Sequence, residues 1–152
     1  MTGLLTINGK DAWTEFGAFL CETSADGRVN AAALLAVPQA KEITYVDFRE
    51  RDGEGAPDDP QLKLQSIDRT LQLCVTASTE VQRTERYRSL IKLLTSGWLD
   101  ISVTGFGTYR MVYKQMYGEP EWYKAYGSTC IVIFNVTLHE PRPTFKQSSN
   151  GV

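Results

Sequence analysis

Residues 70 to 77, TLQLCVTA, alternate without a break, with Leu71, Leu73, Val75 and Ala77 set against Thr70, Gln72, Cys74 and Thr76. Successive side chains of a strand point to opposite faces, so this stretch reads as a half-buried strand. The same period returns in WLDISV, where Leu99, Ile101 and Val103 alternate with Asp100, Ser102 and Thr104. It returns again in CIVIFNVTLHE, where Cys130, Val132, Phe134, Val136 and Leu138 share one face. The opposite face of that stretch carries Ile131 and Ile133 before turning polar at Asn135 and Thr137, which predicts a central strand covered on both sides near its start. GFG, residues 105 to 107, reads as a turn and TYRMVYKQMYG as a further strand ending before EPEWYKAYGS. Earlier, EITYVDFRE at 42 to 50 has two usable strand faces.

Between the alternating stretches the period changes once to that of a helix. Tyr87, Leu90, Ile91 and Leu94 fall at i, i+3, i+4 and i+7 and form an apolar stripe. Thr79 is placed to cap the start with Gln82 three residues on, and Gly97 stands where helices commonly stop. These signals predict a helix over about residues 79–96. Its Arg83, Arg86, Arg88 and Lys92 are interleaved with Glu80 and Glu85, which makes a solvated outer face rather than a phosphate-binding one.

The chain opens on LLTINGKDAW. Leu4 to Ile7 suit a pleated surface, and Asn8-Gly9 is well fitted to the positive φ angles of a tight hairpin. The expectation is that Leu4 to Ile7 are paired in a ladder and that the turn leads to a buried Trp13. A strand so near Met1 leaves no apolar leader and no run of about 20 apolar residues for a membrane span. The expected setting is the cytoplasm, with the terminus used as part of the fold. DAWTEFGAFLCE has no clean period: Ala12, Trp13, Phe16, Phe19 and Leu20 would share a helical face, while Gly17 equally allows a loop or irregular strand. NAAALLAVPQAK reads as a short helical turn or a loop, because Pro38 disfavours helical geometry at Val37. RDGEGAPDDPQ, residues 51 to 61, concentrates glycine, proline and acid and reads as an exposed loop unable to join a ladder.

The 152 residues suit one domain, large enough to bury about 68–70% of its unfolded surface without staples. That domain is expected over residues 1–143, with 144–152 a loose tail. The expected core is Leu71, Leu73, Val75, Leu90, Ile91, Leu94, Ile101, Val132, Phe134 and Val136. Sixteen basic against eighteen acidic residues give a net charge of −2, so bulk electrostatics recruit neither nucleic acid nor an anionic membrane. Cys21, Cys74 and Cys130 are far apart with no CxxC or Cys/His pair, which fits reduced, buried thiols better than an interstrand disulfide.

Catalytic patterns fail at named steps. His139, the one histidine, has no local serine or cysteine partner and cannot build a histidine-rich metal site. Asp52, Glu54, Asp58 and Asp59 lack the ligand spacing of the calcium loop. GEGAPDD and GFGTYR are not phosphate loops. No catalytic residue, metal or cofactor is expected. What remains is aromatic: Trp122, Tyr123 and Tyr126, with Tyr109, Tyr113 and Tyr117 nearby. Without a basic stripe, such rings fit strand packing or a subunit interface better than the stacking of a ligand, whether base or sugar.

The order LLTINGKDAW, RTLQLCVTAST, TEVQRTERYRSLIKLL, WLDISV, TYRMVYK and CIVIFNVTLHEP resembles the N-terminal domain of distal tail proteins of long-tailed bacteriophages. The resemblance lies in element order more than in identities. It implies a mainly β (α+β) fold, an antiparallel β-sandwich or barrel-like sheet pair flanked by one helix and related to tail tube proteins. It also implies a non-enzymatic subunit of a ring, hexameric in the way of that family, contacting itself and other tail proteins, with no nucleic acid and no membrane. A prophage tail component would be assembled in the bacterial cytoplasm and reside in the virion tail. The candidate interface under this reading is Leu5, Ile7, Asp52, Asp58, Asp59, Trp122, Tyr123 and Tyr126. The alternatives are a small-ligand or carbohydrate-binding β-sandwich module built on Trp122 and its tyrosines, and an enzyme with a carboxylate site.

Overall fold

A computed structural model describes residues 2–22, 29–41, 46–47, 54–55, 63–124 and 129–143. Seven strands form one antiparallel sheet in the order β2-β1-β7-β8-β9-β6-β3. They are β1 (Leu5–Ile7), β2 (Lys10–Asp11), β3 (Ala18–Leu20), β6 (Ile67–Ala77), β7 (Trp98–Val103), β8 (Gly107–Lys124) and β9 (Cys130–Glu140). A separate pair joins β4 (Val46–Asp47) to β5 (Glu54–Gly55). The helices are α1 (Ala12–Phe16), α2 (Val29–Leu35) and α3 (Glu80–Leu94).

The centre of the sheet is the β6–β9 ladder, in which Leu71, Leu73 and Val75 stand opposite Val136, Phe134 and Val132. β9 lies between β6 and β8, as its two-sided apolar start predicts. All of these side chains are buried, and Leu99 and Ile101 of β7 with Leu5 and Ile7 of β1 join the same core. Adjacent strands lie about 4.8 Å apart, so β1 and β3, with four strands between them, would be about 24 Å apart in a flat sheet. Yet Leu5, Val103, Ala18, Phe19 and Leu20 line one cavity of about 240 Å³. The sheet is therefore rolled, bringing its β1 and β3 sides towards one another. Where one helix was expected, the described residues hold three.

α3 forms as its sequence dictates. Thr79 Oγ1 accepts from the Gln82 N–H at 3.1 Å, and Gln82 Oε1 reaches back to the Ser78 N–H at 3.1 Å. Leu90 and Leu94 are buried, and Tyr87 and Ile91 are half-buried at the margin of the core. Ile91 thus departs from the expected full burial, because it lies on the flank of the stripe.

The opening turn also forms as expected: Asn8 and Gly9 have φ of 51° and 81°, and Ile7 pairs with Lys10. β1 pairs with β7 on its other side, and Leu4 O accepts from the Thr104 N–H at 3.0 Å. Trp13 is not buried as expected but 37% exposed, set edge-on to Phe19 at 5.9 Å. Asp11 caps α1 and turns Ala12 and Phe16, one helical turn apart, towards the core. That leaves Trp13 on the outer side.

Two further expectations are corrected. Residues 51–61 do contribute to a ladder, because Glu54 and Gly55 precede both prolines and keep their N–H groups. β8 does not end at Gly118 but runs on through EPEWYK. Register shifts between Tyr113 and Gln115 and between Tyr117 and Glu121 absorb Gly118, at φ 74°, and Pro120.

Candidate interface surfaces

β8 is 18 residues long, but β7 pairs with it only from Gly107 to Val112. From Tyr113 onwards β9 holds one side, and among the described residues no strand holds the other. The far half of β8 with the start of β9 is thus a hairpin carried beyond β7, and among the described residues no strand pairs with its outer edge.

The aromatic residues are divided by the pleat of this hairpin. Trp122 stands opposite Val132, on the core face, and Tyr117 and Tyr123 stand opposite Asn135 and Ile131, on the outer face. Tyr109 is wholly inside, and burial pushes its phenol and that of Tyr87 above the ordinary range. Trp122 meets Tyr87 edge-on at 5.1 Å, and the Arg83 guanidinium lies 4.9 Å from its ring centroid. Arg83 Nη1 also donates to Tyr123 O at 3.0 Å. Trp122 is still 45% exposed, Tyr123 48% and Tyr117 63%. The Tyr123 hydroxyl donates to Glu121 Oε2, and that bond holds the phenol above its usual range.

Leu5 and Ile7 are 5% and 1% exposed. Their side chains serve this chain's own core, and their strand is flanked on both sides by β2 and β7. Asp52, Asp58, Asp59 and Tyr126 lie outside the described residues. Of the eight sequence candidates, Trp122 and Tyr123 are the described ones that stand exposed, and they lie on opposite faces of β8.

His139 takes part in a charged cluster on the outer face. Asp68 Oδ1 contacts His139 Nδ1 at 2.6 Å, and Asp68 Oδ2 contacts Lys114 Nζ at 2.5 Å. These bonds, Lys114 first and His139 second, hold the Asp68 carboxyl below its usual range. The cluster ties β6, β9 and β8 together. A second exposed cluster at the β7–β8 end was not anticipated: Arg110 lies over Trp98 at 4.7 Å and pairs with Asp100 at 2.9 Å, beside a cavity of about 270 Å³ reaching Arg142. Its sequence signal is the pairing of Asp100 with Arg110 across a short hairpin. Among the described residues, no group of three or more His, Cys, Asp or Glu is placed to hold a metal ion. No helix there is long and apolar enough to cross a membrane.

No protein-family model matches the chain, and no curated protein matches it in sequence. Among solved structures it is similar to the SPP1 Dit (gp 19.1) protein, described as a paradigm of the hub adsorption apparatus in phages infecting Gram-positive hosts. The identity is 17%, the TM-score 0.44, and the match covers 91% of this chain and 50% of that one, so this chain spans about half its length.

Proposed function

We propose that this chain is a structural subunit of a phage or prophage tail, a distal tail or tube-like ring component that acts by assembling with copies of itself and with other tail proteins. The observation that carries this reading is the far half of β8: a strand edge that no described strand covers, flanked by exposed tyrosines, on a hairpin anchored in the core at its other end. Such an edge is a template for pairing with another chain. The element order of the sequence supports the same reading. A hexameric ring, made in the bacterial cytoplasm and retained in the virion tail, is the form this proposal takes.

The carbohydrate reading is less favoured, because Arg83 and Tyr87 already take part of the surroundings of the Trp122 ring.

Mass measurement by light scattering across a wide concentration range, for the chain alone and co-expressed with the products of its neighbouring genes, tests the proposal. A multimer is expected, and Gln115→Pro with Tyr117→Lys on the open edge is expected to abolish it while the monomer still melts cooperatively. A chain that stays monomeric in both settings, in a neighbourhood of metabolic genes, overturns the reading.

A further inference from the structure

Cys21 lies one residue beyond β3, and its N–H donates to Gln72 O at 3.0 Å, so the chain still tracks β6 at that point. Phe19 stands opposite Cys74, which sets Cys21 level with Gln72. Alternate residues of a strand share a face, so Cys21 and Cys74 are diagonal neighbours on one side of the β3–β6 pair.

Asn30 fixes this register from outside the sheet. Its Nδ2 donates to Cys21 O at 2.8 Å and to Gln72 O at 3.1 Å, and its Oδ1 accepts from the Gln72 N–H at 2.7 Å. The amide side chain stitches the two backbones together at the level of the thiols. The two thiols influence each other there: contact with Cys74 pushes the Cys21 thiol above the ordinary thiol range, and contact with Cys21 draws that of Cys74 below it. Cys21 is partly exposed and Cys74 is buried behind it; Cys130 lies apart on the core face of β9.

We propose that Cys21 and Cys74 form a redox pair that closes to an intrachain disulfide when the chain meets a peroxide. One sulfur of the pair, as its thiolate, attacks the peroxide O–O bond and becomes a sulfenic acid as hydroxide leaves and takes a proton to form water. The partner sulfur then displaces the sulfenic oxygen, and the S–S bond forms as the partner's proton leaves with that oxygen in a second water. Two electrons pass from the thiols to the peroxide. In a reducing compartment both thiols persist, and the bond closes where peroxide outpaces the reductant. The bond fastens β3, a three-residue edge strand, to β6. None of this depends on the tail reading.

The test uses the full chain, reduced, then treated with hydrogen peroxide, quenched, unfolded and alkylated before mass analysis. The expected product is a monomer lighter by two hydrogen atoms, with one alkylatable thiol in place of three and a linked peptide pair containing Cys21 and Cys74. Reductant restores all three thiols, Cys21→Ser yields no linked pair, and the oxidised chain unfolds at higher urea than the reduced one. Three thiols still alkylatable, a link through Cys130, a link between chains, or sulfinic acid with no link would each overturn the proposal. A link that leaves the urea midpoint unchanged or lowers it would overturn the fastening of β3. The wild-type result decides the matter even if a variant fails to fold.

Discussion

Arg69 of β6 and Glu140 of β9 meet inside the protein, Nη2 to Oε1 at 3.2 Å, with both side chains almost wholly buried. The other arm of the guanidinium donates to the carbonyls of Ala33, Leu34 and Ala36 at 2.7, 3.1 and 3.1 Å. Tyr109 completes the arrangement, its ring 5.2 Å from the guanidinium carbon and its hydroxyl donating to Leu34 O at 2.9 Å. The C-terminal end of α2 is thereby held by a cation, which suits the negative end of a helix and satisfies carbonyls that have no partner within it.

Removing one member of this pair should leave the other charged and buried. Arg69→Met is expected to lower stability by about 3–5 kcal/mol, and pairing it with Glu140→Leu should recover much of that loss. Urea unfolding of the two variants decides the point. A single variant as stable as the parent would show that the pair is not isolated from water.

Leu94 and Val81 offer a contrast on α3, 1% against 70% exposed. Leu94→Ala should lower stability by about 2–5 kcal/mol, as buried leucines do, while Val81→Ala stays within about 0.5 kcal/mol. Equal effects would mean that the helix is rotated about its axis.

Gly17 ends α1 at φ 61°, and a Cβ there would lie 2.7 Å from both Thr76 O and Arg86 Nη1. The arginine could move, but the Thr76 carbonyl is fixed in β6. Gly17→Ala should therefore lower stability by about 1–3 kcal/mol through strain at the turn and displacement of β3. Chemical denaturation measures the loss, and an increase in stability would rule out this backbone geometry.

Asp68 ties part of the outer face to pH. Its folded carboxyl titrates below the ordinary value of 3.8, so its contribution is complete well above that value and is lost as pH falls through 3.8 towards the lower folded one. The side chain is 39% exposed, and solvent screening keeps the effect small. Asp68→Asn should flatten the acid limb of stability against pH. A limb as steep as the parent's would assign the acid sensitivity to other carboxylates.

The sequence was most legible where apolar residues alternate over several positions on one face. β6, β7 and β9 keep their period through the core, and α3 shows both its stripe and its cap. Arg69 was missed although it falls in phase with Leu71 and Leu73, because residue type argued against burial and its two partners are remote in the chain. β8 was cut short at Gly118 and Pro120 because bulges that absorb such residues have no clear local signature. Trp13 was misplaced because its orientation depends on where a five-residue helix starts, which a mixed aromatic stretch does not reveal. The division of the aromatic cluster between two faces follows from the register of β8 on β9, which strand content alone does not determine.

The position of β9 also sets a timetable. It is the last strand of the sheet along the chain, and it lies between β6 and β8. During synthesis the β1–β2 hairpin and the β7–β8 pair can form early, and β1 can join β7 once residue 103 has emerged. β6 waits with an unpaired apolar edge until residues 130 to 140 appear, because its principal neighbour has not yet been made. Contacts so distant in the chain slow folding, and an edge left open for that interval invites mispairing with a neighbouring nascent copy. Slowing translation just before β9 should therefore reduce soluble yield more than an equal pause after it.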